Sequence, residues 1–155
     1  MTKSLLFDMD GTIADLYNVE NWLEKLRSED VSPYRDARPM YDMDTLKAVL
    51  EVFRSMGYEI IVVSWGSMGG SREYTREVKK VKCEWLDRYS FPYDKVHVVK
   101  YGTPKQNFIK SDVAVLVDDN AEVRTDFMKS NRGNEKYVID ATRNIIEQLI
   151  NLLVA

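Results

Sequence analysis

Two carboxylates interrupt the end of an apolar run close to the N-terminus of the chain. The stretch LLFDMDG at residues 5–11 places Asp8 and Asp10 one residue apart among apolar side chains. A run of this kind predicts a buried strand, and burying a charge that has no partner is costly. The two aspartates therefore indicate a bound cation, a reaction, or both.

Further polar residues follow two other apolar runs. Asp118 and Asp119 come directly after VAVLV at residues 113–117, and Ser64 ends EIIVVS at residues 59–64. Because parallel strands present their carboxyl ends at one edge of a sheet, we expect these residues to converge with the two N-terminal aspartates. Four carboxylates at one edge would repel each other without a cation between them. Oxygen ligands, in a chain with one cysteine and one histidine, favour Mg²⁺ over zinc.

A lysine in a separate segment supplies a positive charge for an anion. The spacing predicts a helix over residues 103–110, in which Thr103 and Gln106 form a capping box. Lys105 would lie in its first turn, where a cation opposes the helix dipole unless it faces an anion. Lys100 is the alternative lysine for the same role. Carboxylates, Mg²⁺, a hydroxyl and a lysine together suit the transfer of a phosphoryl group.

Strand-like and helix-like segments alternate along the whole chain. This alternation predicts an α/β fold with a mostly parallel sheet. Residues 30–43 contain two prolines and predict an irregular loop. The basic stretch from Arg72 to Lys82 predicts a solvated helix face or, alternatively, a guide for a phosphorylated polymer. The predicted strands are residues 4–9, 59–64, 95–99, 113–117 and 136–139, and the predicted helices are residues 19–26, 44–57, 72–89, 103–110, 121–130 and 142–153.

Length and composition limit the class of protein. The 155 residues predict one domain, residues 1–155, and the formal net charge of −3 gives no overall attraction to nucleic acid or an anionic membrane. One cysteine, Cys83, excludes an internal disulfide and fits a reducing compartment. No stretch approaches the ~20 apolar residues of a membrane helix. We therefore expect a cytoplasmic protein with no membrane partner.

Taken in order, the polar residues resemble the four motifs of the haloacid dehalogenase (HAD) superfamily of phosphohydrolases. The first motif, DxDGT, corresponds to residues 8–12, and the second, a Ser or Thr that ends the next strand, corresponds to Ser64. Lys105 matches the third motif, a lysine ahead of the fourth strand, and Asp118 and Asp119 match the paired acids of the fourth. The resemblance covers nearly the whole chain. It implies a Rossmann-like three-layer sandwich.

The resemblance also implies a role for each matched residue. Asp8 would be the nucleophile that forms an aspartyl-phosphate, and Asp10 would protonate the leaving group and then activate water. An acid at the position of Asp10 is typical of the phosphatases in this family. Ser64 and Lys105 would hold the oxygens of the transferred phosphoryl group.

The implied cofactor is Mg²⁺, which lets an anionic nucleophile approach an anionic phosphate. Asp119 would reach the ion through water, or would instead cap the following helix, a role for which Asn120 competes. The implied metal ligands are Asp8, the backbone carbonyl of Asp10, Asp118 and Asp119.

A very small insert, residues 13–43, stands where larger relatives carry a cap domain. We therefore expect an open site, with a homo-oligomer as one way to close it. The expected substrate is a small phosphomonoester. The aromatic residues and arginines of the insert can hold a base and a phosphate, so a nucleotide is one candidate. Alternative substrates are a nucleic-acid 3′ end and a phosphoprotein. The alternative from another class is a non-catalytic module that binds a phospho-ligand or a metal.

Overall fold

A five-stranded parallel β-sheet forms the centre of the structure. The computed structural model describes residues 1–155, and the strands lie in the spatial order β3-β2-β1-β4-β5. All five predicted strands are present, and β1 lies between β2 and β4. The strands are β1 Lys3–Phe7, β2 Tyr58–Trp65, β3 Lys95–Val99, β4 Val113–Asp118 and β5 Glu135–Asp140.

Helices cover both faces of this sheet. Alternate residues of β1 explain why, because Leu5 and Phe7 lie in one hydrophobic core and Leu6 lies in the core on the opposite face. A strand that is buried on both faces requires the continuous apolar runs seen in the sequence. The result is the expected Rossmann-like three-layer sandwich. The helices are α1 Trp22–Arg27, α2 Ser32–Asp36, α3 Met43–Ser55, α4 Arg72–Arg88, α5 Ala121–Lys129 and α6 Ile145–Leu153.

The two faces are covered by different helices. Residues of α3, α4 and α6, including Phe53, Trp85 and Leu149, complete the larger core. Residues of α5, Val123 and Phe127, complete the smaller core. No helix in the structure is both long enough and apolar enough to cross a membrane.

The prediction of an irregular loop over residues 30–43 is wrong in one part, because α2 lies within it. Pro33 occupies the first turn of this short helix. A proline is tolerated there because the first backbone N–H groups of a helix have no intrahelical partner. Pro39 lies beyond the end of α2, where it pairs with Ala14 in an isolated bridge.

The capped helix predicted over residues 103–110 is also wrong. Only a 3-10 turn, Lys105–Phe108, forms there, and no side chain caps it. The Thr103 hydroxyl instead donates to the backbone carbonyl of Lys100 at 2.6 Å. Tertiary contacts also hold the segment, because the indole N–H of Trp65 donates to the backbone carbonyl of Thr103 at 2.8 Å. Lys105 still lies at the start of the 3-10 turn.

Three other helix starts differ from the prediction. Helix α1 begins at Trp22, three residues after the predicted start at residue 19. Helix α3 begins at Met43 with Asp42 in the N-cap position, so Asp44, the predicted first residue of this helix, lies inside its first turn. The last, α6, begins later than residue 142, because Asn144 accepts hydrogen bonds from the next backbone N–H groups and thereby sets the start.

The insert, residues 13–43, packs against α4. A 3-10 turn, Leu16–Asn18, and helices α1 and α2 make up most of it. The indole N–H of Trp85 donates to the backbone carbonyl of Ala37 at 2.7 Å, which ties the end of the insert to α4. The insert is therefore a fixed wall beside the sheet edge. Its apolar contacts with α4 join Leu16, Leu26, Val31 and Tyr34 to Tyr74, Val78 and Val81.

Candidate active site

The sheet brings the predicted acidic residues together at its carboxyl edge. Asp8 and Asp10 follow the end of β1, Asp118 is the last residue of β4, and Asp119 is the next residue. These four side chains and Lys105 line one pocket with a volume of about 340 Å³. The convergence expected from the apolar runs is therefore present in the structure.

Lys105 lies between two of these carboxylates. Its Nζ donates to Asp8 Oδ1 at 2.8 Å and to Asp118 Oδ2 at 2.6 Å, and its side chain is almost fully buried. Lys100, the alternative lysine, is exposed. Burial alone would lower the pKa of Lys105, but the charges of the two aspartates outweigh it and raise the pKa. Lys105 therefore holds a positive charge at the base of the pocket.

The carboxylate of Asp8 is fixed in its orientation. The Thr12 hydroxyl donates to Asp8 Oδ2 at 3.0 Å, while Lys105 donates to the other oxygen. Burial raises the pKa of Asp8, but the charge and hydrogen bonds of Lys105, with the Thr12 hydroxyl, lower it below its usual value. Asp8 is consequently an ionised carboxylate whose orientation is fixed by two hydrogen-bond donors.

Asp8, Asp118 and Asp119 form a group that can bind a metal ion. One carboxylate oxygen from each lies within 4.8 Å of the others. Burial and the Asp8 carboxylate raise the pKa of Asp119, which is the sign of excess negative charge at this point. The donor set consists of oxygen atoms only, and this chemistry fits a hard divalent cation such as Mg²⁺.

A backbone hydrogen bond holds Asp118, the first residue of the second acidic pair. The backbone N–H of Asn120 donates to Asp118 Oδ1 at 2.9 Å, and the Asn120 side chain caps α5. The alternative role of Asp119 as this cap is therefore wrong, and its carboxylate remains free to face the pocket. Gly11 makes room for it, because a Cβ at Gly11 would overlap the Asp119 carboxylate.

Lys82 of α4 is a residue of the site that the sequence interpretation missed. Its side chain is fully buried, and Nζ lies 2.8 Å from Asp10 Oδ2, 2.8 Å from Ser64 Oγ and 2.8 Å from the backbone oxygen of Trp65. Three acceptors match the three protons of an ammonium group. The Tyr34 ring covers the same group, with its centroid 4.5 Å from Nζ. The prediction that Lys82 belongs to a solvated basic face is thus wrong.

The positions of Ser64 and Asp10 follow from this lysine. Ser64 is fully buried, and its hydroxyl contacts Lys82 beneath the pocket and does not contribute to the pocket lining. Asp10 lines the pocket and is paired with Lys82. Burial raises the pKa of Asp10, and the Lys82 charge opposes this only in part. The Asp10 carboxyl therefore holds a proton more readily than the Asp8 carboxyl does.

A signal for Lys82 is present in the sequence. Tyr74, Val78, Val81 and Trp85 form the buried stripe of α4, and Lys82 follows Val78 by four residues. Side chains four residues apart share one face of a helix. A lysine at the edge of an apolar stripe is an unusual placement, and it identifies Lys82 among the basic residues of this helix.

Comparisons with known proteins find similarity to solved structures. No protein-family model matches the chain, and no curated protein matches it. Among solved structures, the chain is similar to one chain of the Pnkp1/Rnl/Hen1 RNA repair complex, with a TM-score of 0.56 and 17% sequence identity. The match covers 90% of this chain and 43% of that chain, so this chain spans less than half the length of its structural neighbour. At this identity, the similarity concerns the α/β fold.

The fold and the pocket together define the class of the molecule. It is a Rossmann-like α/β protein with a buried cluster of aspartates that can bind a metal ion at the carboxyl edge of the sheet.

Proposed function

We propose that this protein is a Mg²⁺-dependent phosphohydrolase of the HAD type that cleaves a phosphomonoester through an aspartyl-phosphate. The observation that carries the proposal is the pair of aspartates beyond β1. Asp8 is held by Lys105 and Thr12, and Asp10 is held by Lys82. Two carboxyl groups with opposite pKa shifts suit two different roles, a nucleophile and an acid.

In the first step, an oxygen of the ionised Asp8 attacks phosphorus. The bond from phosphorus to the ester oxygen breaks, and Asp10 gives its proton to the departing oxygen. In the second step, Asp10 takes a proton from water and the water oxygen attacks phosphorus. The bond from phosphorus to the Asp8 oxygen breaks, which releases phosphate and regenerates the Asp8 carboxylate. Lys105 neutralises negative charge that gathers on the phosphoryl oxygens.

Asp8, Asp118 and Asp119, with the backbone carbonyl of Asp10, would hold Mg²⁺. When bound, the ion supplies positive charge that lets the anionic phosphate approach the anionic Asp8. Lys105 already contacts two of these carboxylates. The lysine and the metal ion would therefore contact the same acidic group. Their positive charges would offset the negative charge of a phosphate bound there.

A panel of phosphate esters tests the proposal. Phosphate release is measured with and without Mg²⁺ from p-nitrophenyl phosphate, nucleoside monophosphates, sugar phosphates, a phosphopeptide and a 3′-phosphorylated oligonucleotide. We expect Mg²⁺-dependent release that falls at least about a thousandfold in Asp8→Asn, because the amide is nearly isosteric but is no nucleophile. The matched control is Asp126→Asn, which changes an exposed aspartate of α5. Wild-type rates in Asp8→Asn would contradict the assignment of the nucleophile.

A phosphorylated RNA end is a second candidate substrate, because the structural neighbour is part of an RNA repair complex. Faster release from the 3′-phosphorylated oligonucleotide than from every small ester would favour it. Binding of phosphate esters without release from any of them would instead favour a non-catalytic phospho-ligand module.

A further inference from the structure

We propose that the pocket wall above the acidic cluster is a subsite for a nucleobase, so that the substrate is a nucleoside phosphate. This inference rests on the proposed function, since it names the substrate class of the same site. It follows from the side chains that surround the mouth of the pocket, which the phosphohydrolase mechanism does not use.

Two pairs of aromatic rings line the pocket. Tyr17 and Trp22, from the insert, have ring centroids 4.9 Å apart and planes inclined by 72°. Trp65, at the end of β2, and Tyr101, after β3, have centroids 4.9 Å apart and planes inclined by 53°. The pairs therefore come from separate segments and share one cavity. Aromatic faces at a binding site stack on bases without requiring a particular sequence.

One of these rings lies directly beside the acidic cluster. A Cβ at Gly11 would be only 2.6 Å from Tyr17 Cε2, and the same position is bordered by Asp119. Burial raises the pKa of Tyr17, and the charges of Asp119, Asp10, Asp8 and the Tyr101 phenol add to the increase. Tyr17 therefore lies beside the acidic cluster and shares the pocket with the Trp65–Tyr101 pair.

The Trp65–Tyr101 pair contains a fixed ring. The indole N–H of Trp65 donates to the backbone carbonyl of Thr103 at 2.8 Å, and Lys105 Nζ lies 5.4 Å from the centroid of this ring. A ring that is already fixed loses little conformational entropy when a flat ligand stacks on it. The phosphate-binding lysine and the aromatic surface are therefore adjacent, as a base and a phosphate are within one nucleotide.

The outer aromatic rings are exposed, although the chain has a core in which to bury such side chains. Tyr17 is 50% exposed and Tyr101 is 46% exposed. Each ring packs against a tryptophan, but neither hydroxyl makes a hydrogen bond, so both hydroxyl groups are available to a ligand in the pocket. The cavity volume of about 340 Å³ falls at the lower end of the range for pockets that bind small molecules.

Arg27 adds a positive charge at the same pocket. It is exposed and makes neither an ion pair nor a hydrogen bond. The insert therefore presents a free guanidinium beside its aromatic pair. A guanidinium binds phosphate through paired N–H donors, and it is placed to contact a second phosphate where the nucleotide is the end of an oligonucleotide.

The test compares substrates that differ only in the base. The ratio of kcat/KM for a nucleoside monophosphate to kcat/KM for the matching ribose phosphate is measured for the 3′ and the 5′ esters. Removing one stacking side chain costs about fivefold to 150-fold, so we expect a wild-type ratio of that order for at least one ester. Tyr101→Ala and Tyr17→Ala should move the ratio towards one. The matched control is Tyr137→Ala, which removes a tyrosine of β5 that is 43% exposed and lies outside the pocket.

Binding to Asp8→Asn gives a measurement that does not depend on turnover. Calorimetry with this variant should detect tighter binding of the nucleoside monophosphate than of the ribose phosphate. Preferential binding without hydrolysis by the wild type would support the base subsite and overturn the proposed function. Equal hydrolysis and equal binding of both esters would overturn the subsite and leave the phosphohydrolase assignment standing.

Two further comparisons show whether the substrate is a nucleic-acid end, a free nucleotide or a phosphorylated peptide. A kcat/KM for a 3′-phosphorylated oligonucleotide above that for the mononucleotide, reduced by Arg27→Gln, assigns the subsite to a nucleic-acid end. Equal values assign it to free nucleotides, and both results support a base subsite. A phosphotyrosine peptide that is hydrolysed with a higher kcat/KM than every nucleotide would overturn the proposal.

Discussion

The fully buried Lys82 contacts Asp10 across the floor of the candidate active site, with 2.8 Å between Nζ and Oδ2. The lysine comes from the middle of α4, and the aspartate follows β1. The same ammonium group binds the Ser64 hydroxyl and the backbone oxygen of Trp65. One side chain therefore fixes the orientation of Asp10 relative to the end of β2.

Replacing Lys82 with methionine tests this positioning role. Lys82→Met keeps most of the buried volume but removes the ammonium group that holds Asp10. We expect kcat to fall by about a hundredfold or more, the lower range for a lost acid–base group, while KM changes little. Steady-state kinetics with a phosphomonoester measures the split between kcat and KM.

The control for this variant is Lys79→Met, which changes an exposed lysine of the same helix. Lys79→Met should keep wild-type kinetics. Breaking a buried ion pair also costs about 3–5 kcal/mol of stability, so the thermal unfolding of Lys82→Met is measured alongside. A folded Lys82→Met protein with wild-type kcat would show that Asp10 does not depend on Lys82.

Asp10→Asn should slow the reaction in a way that depends on the leaving group. An alkoxide needs a proton as it departs, whereas p-nitrophenolate departs without one. The loss should therefore be larger for a sugar phosphate or nucleotide than for p-nitrophenyl phosphate, by about tenfold or more. Rates for the two esters, with Asp126→Asn as the control, give the comparison. Equal losses for both esters would argue against an acid role for Asp10.

The sheet and most helices follow from the sequence because their signals are local. Apolar runs such as residues 113–117 require burial on both faces of a strand, and a strand so buried can only lie inside the sheet. The acids after β1 and β4 then meet because parallel strands end at one edge. The acidic half of the site was predictable for this reason.

The contacts of Lys82 were not predictable to the same degree. A lysine at the edge of an apolar stripe can extend its ammonium group to water or turn it inward. The choice depends on Asp10 and Ser64, which other strands bring to α4 from distant parts of the chain. The prediction for residues 103–110 was wrong for a related reason, because a capping pattern is a weak preference that tertiary contacts of Lys105 override.

Mg²⁺ should stabilise the protein through the acidic cluster. A ligand that binds only the folded state adds about 2.7 kcal/mol when its concentration is a hundred times Kd. For a chain of this size, we expect a rise in Tm of about 5–10 °C. Asp118→Asn should lose this rise, because it removes a charged ligand while leaving an oxygen for the Asn120 N–H. Thermal unfolding with and without Mg²⁺ measures both values.

The control for the metal prediction is Asp126→Asn, which should show the same Mg²⁺ shift as the wild type. Its aspartate is exposed on α5 and lies away from the acidic cluster. If Mg²⁺ raised the Tm of Asp118→Asn as much as that of the wild type, the stabilising ion would bind elsewhere on the protein.

Asp94, ahead of β3, should make stability depend on pH. Burial raises the pKa of its carboxyl, but hydrogen bonds from Arg54 and from the backbone N–H of Ile60 outweigh burial and lower the pKa below its usual value. A carboxyl with a lowered pKa in the folded state stabilises the protein above the unfolded pKa, near 3.9. That stabilisation is lost as the pH falls through the lower folded value.

Asp94→Asn should therefore reduce the free energy of unfolding at pH 7 by about 1 kcal/mol, since the pair with Arg54 is partly solvated. The difference between the two proteins should shrink as the pH falls from about 4 through the lowered folded pKa, because the wild-type carboxyl becomes protonated over this range and then resembles the amide. Urea unfolding at several pH values measures this difference. In an Arg54→Met background, the difference at pH 7 should be smaller, and an unchanged difference there would show that Arg54 is not its cause.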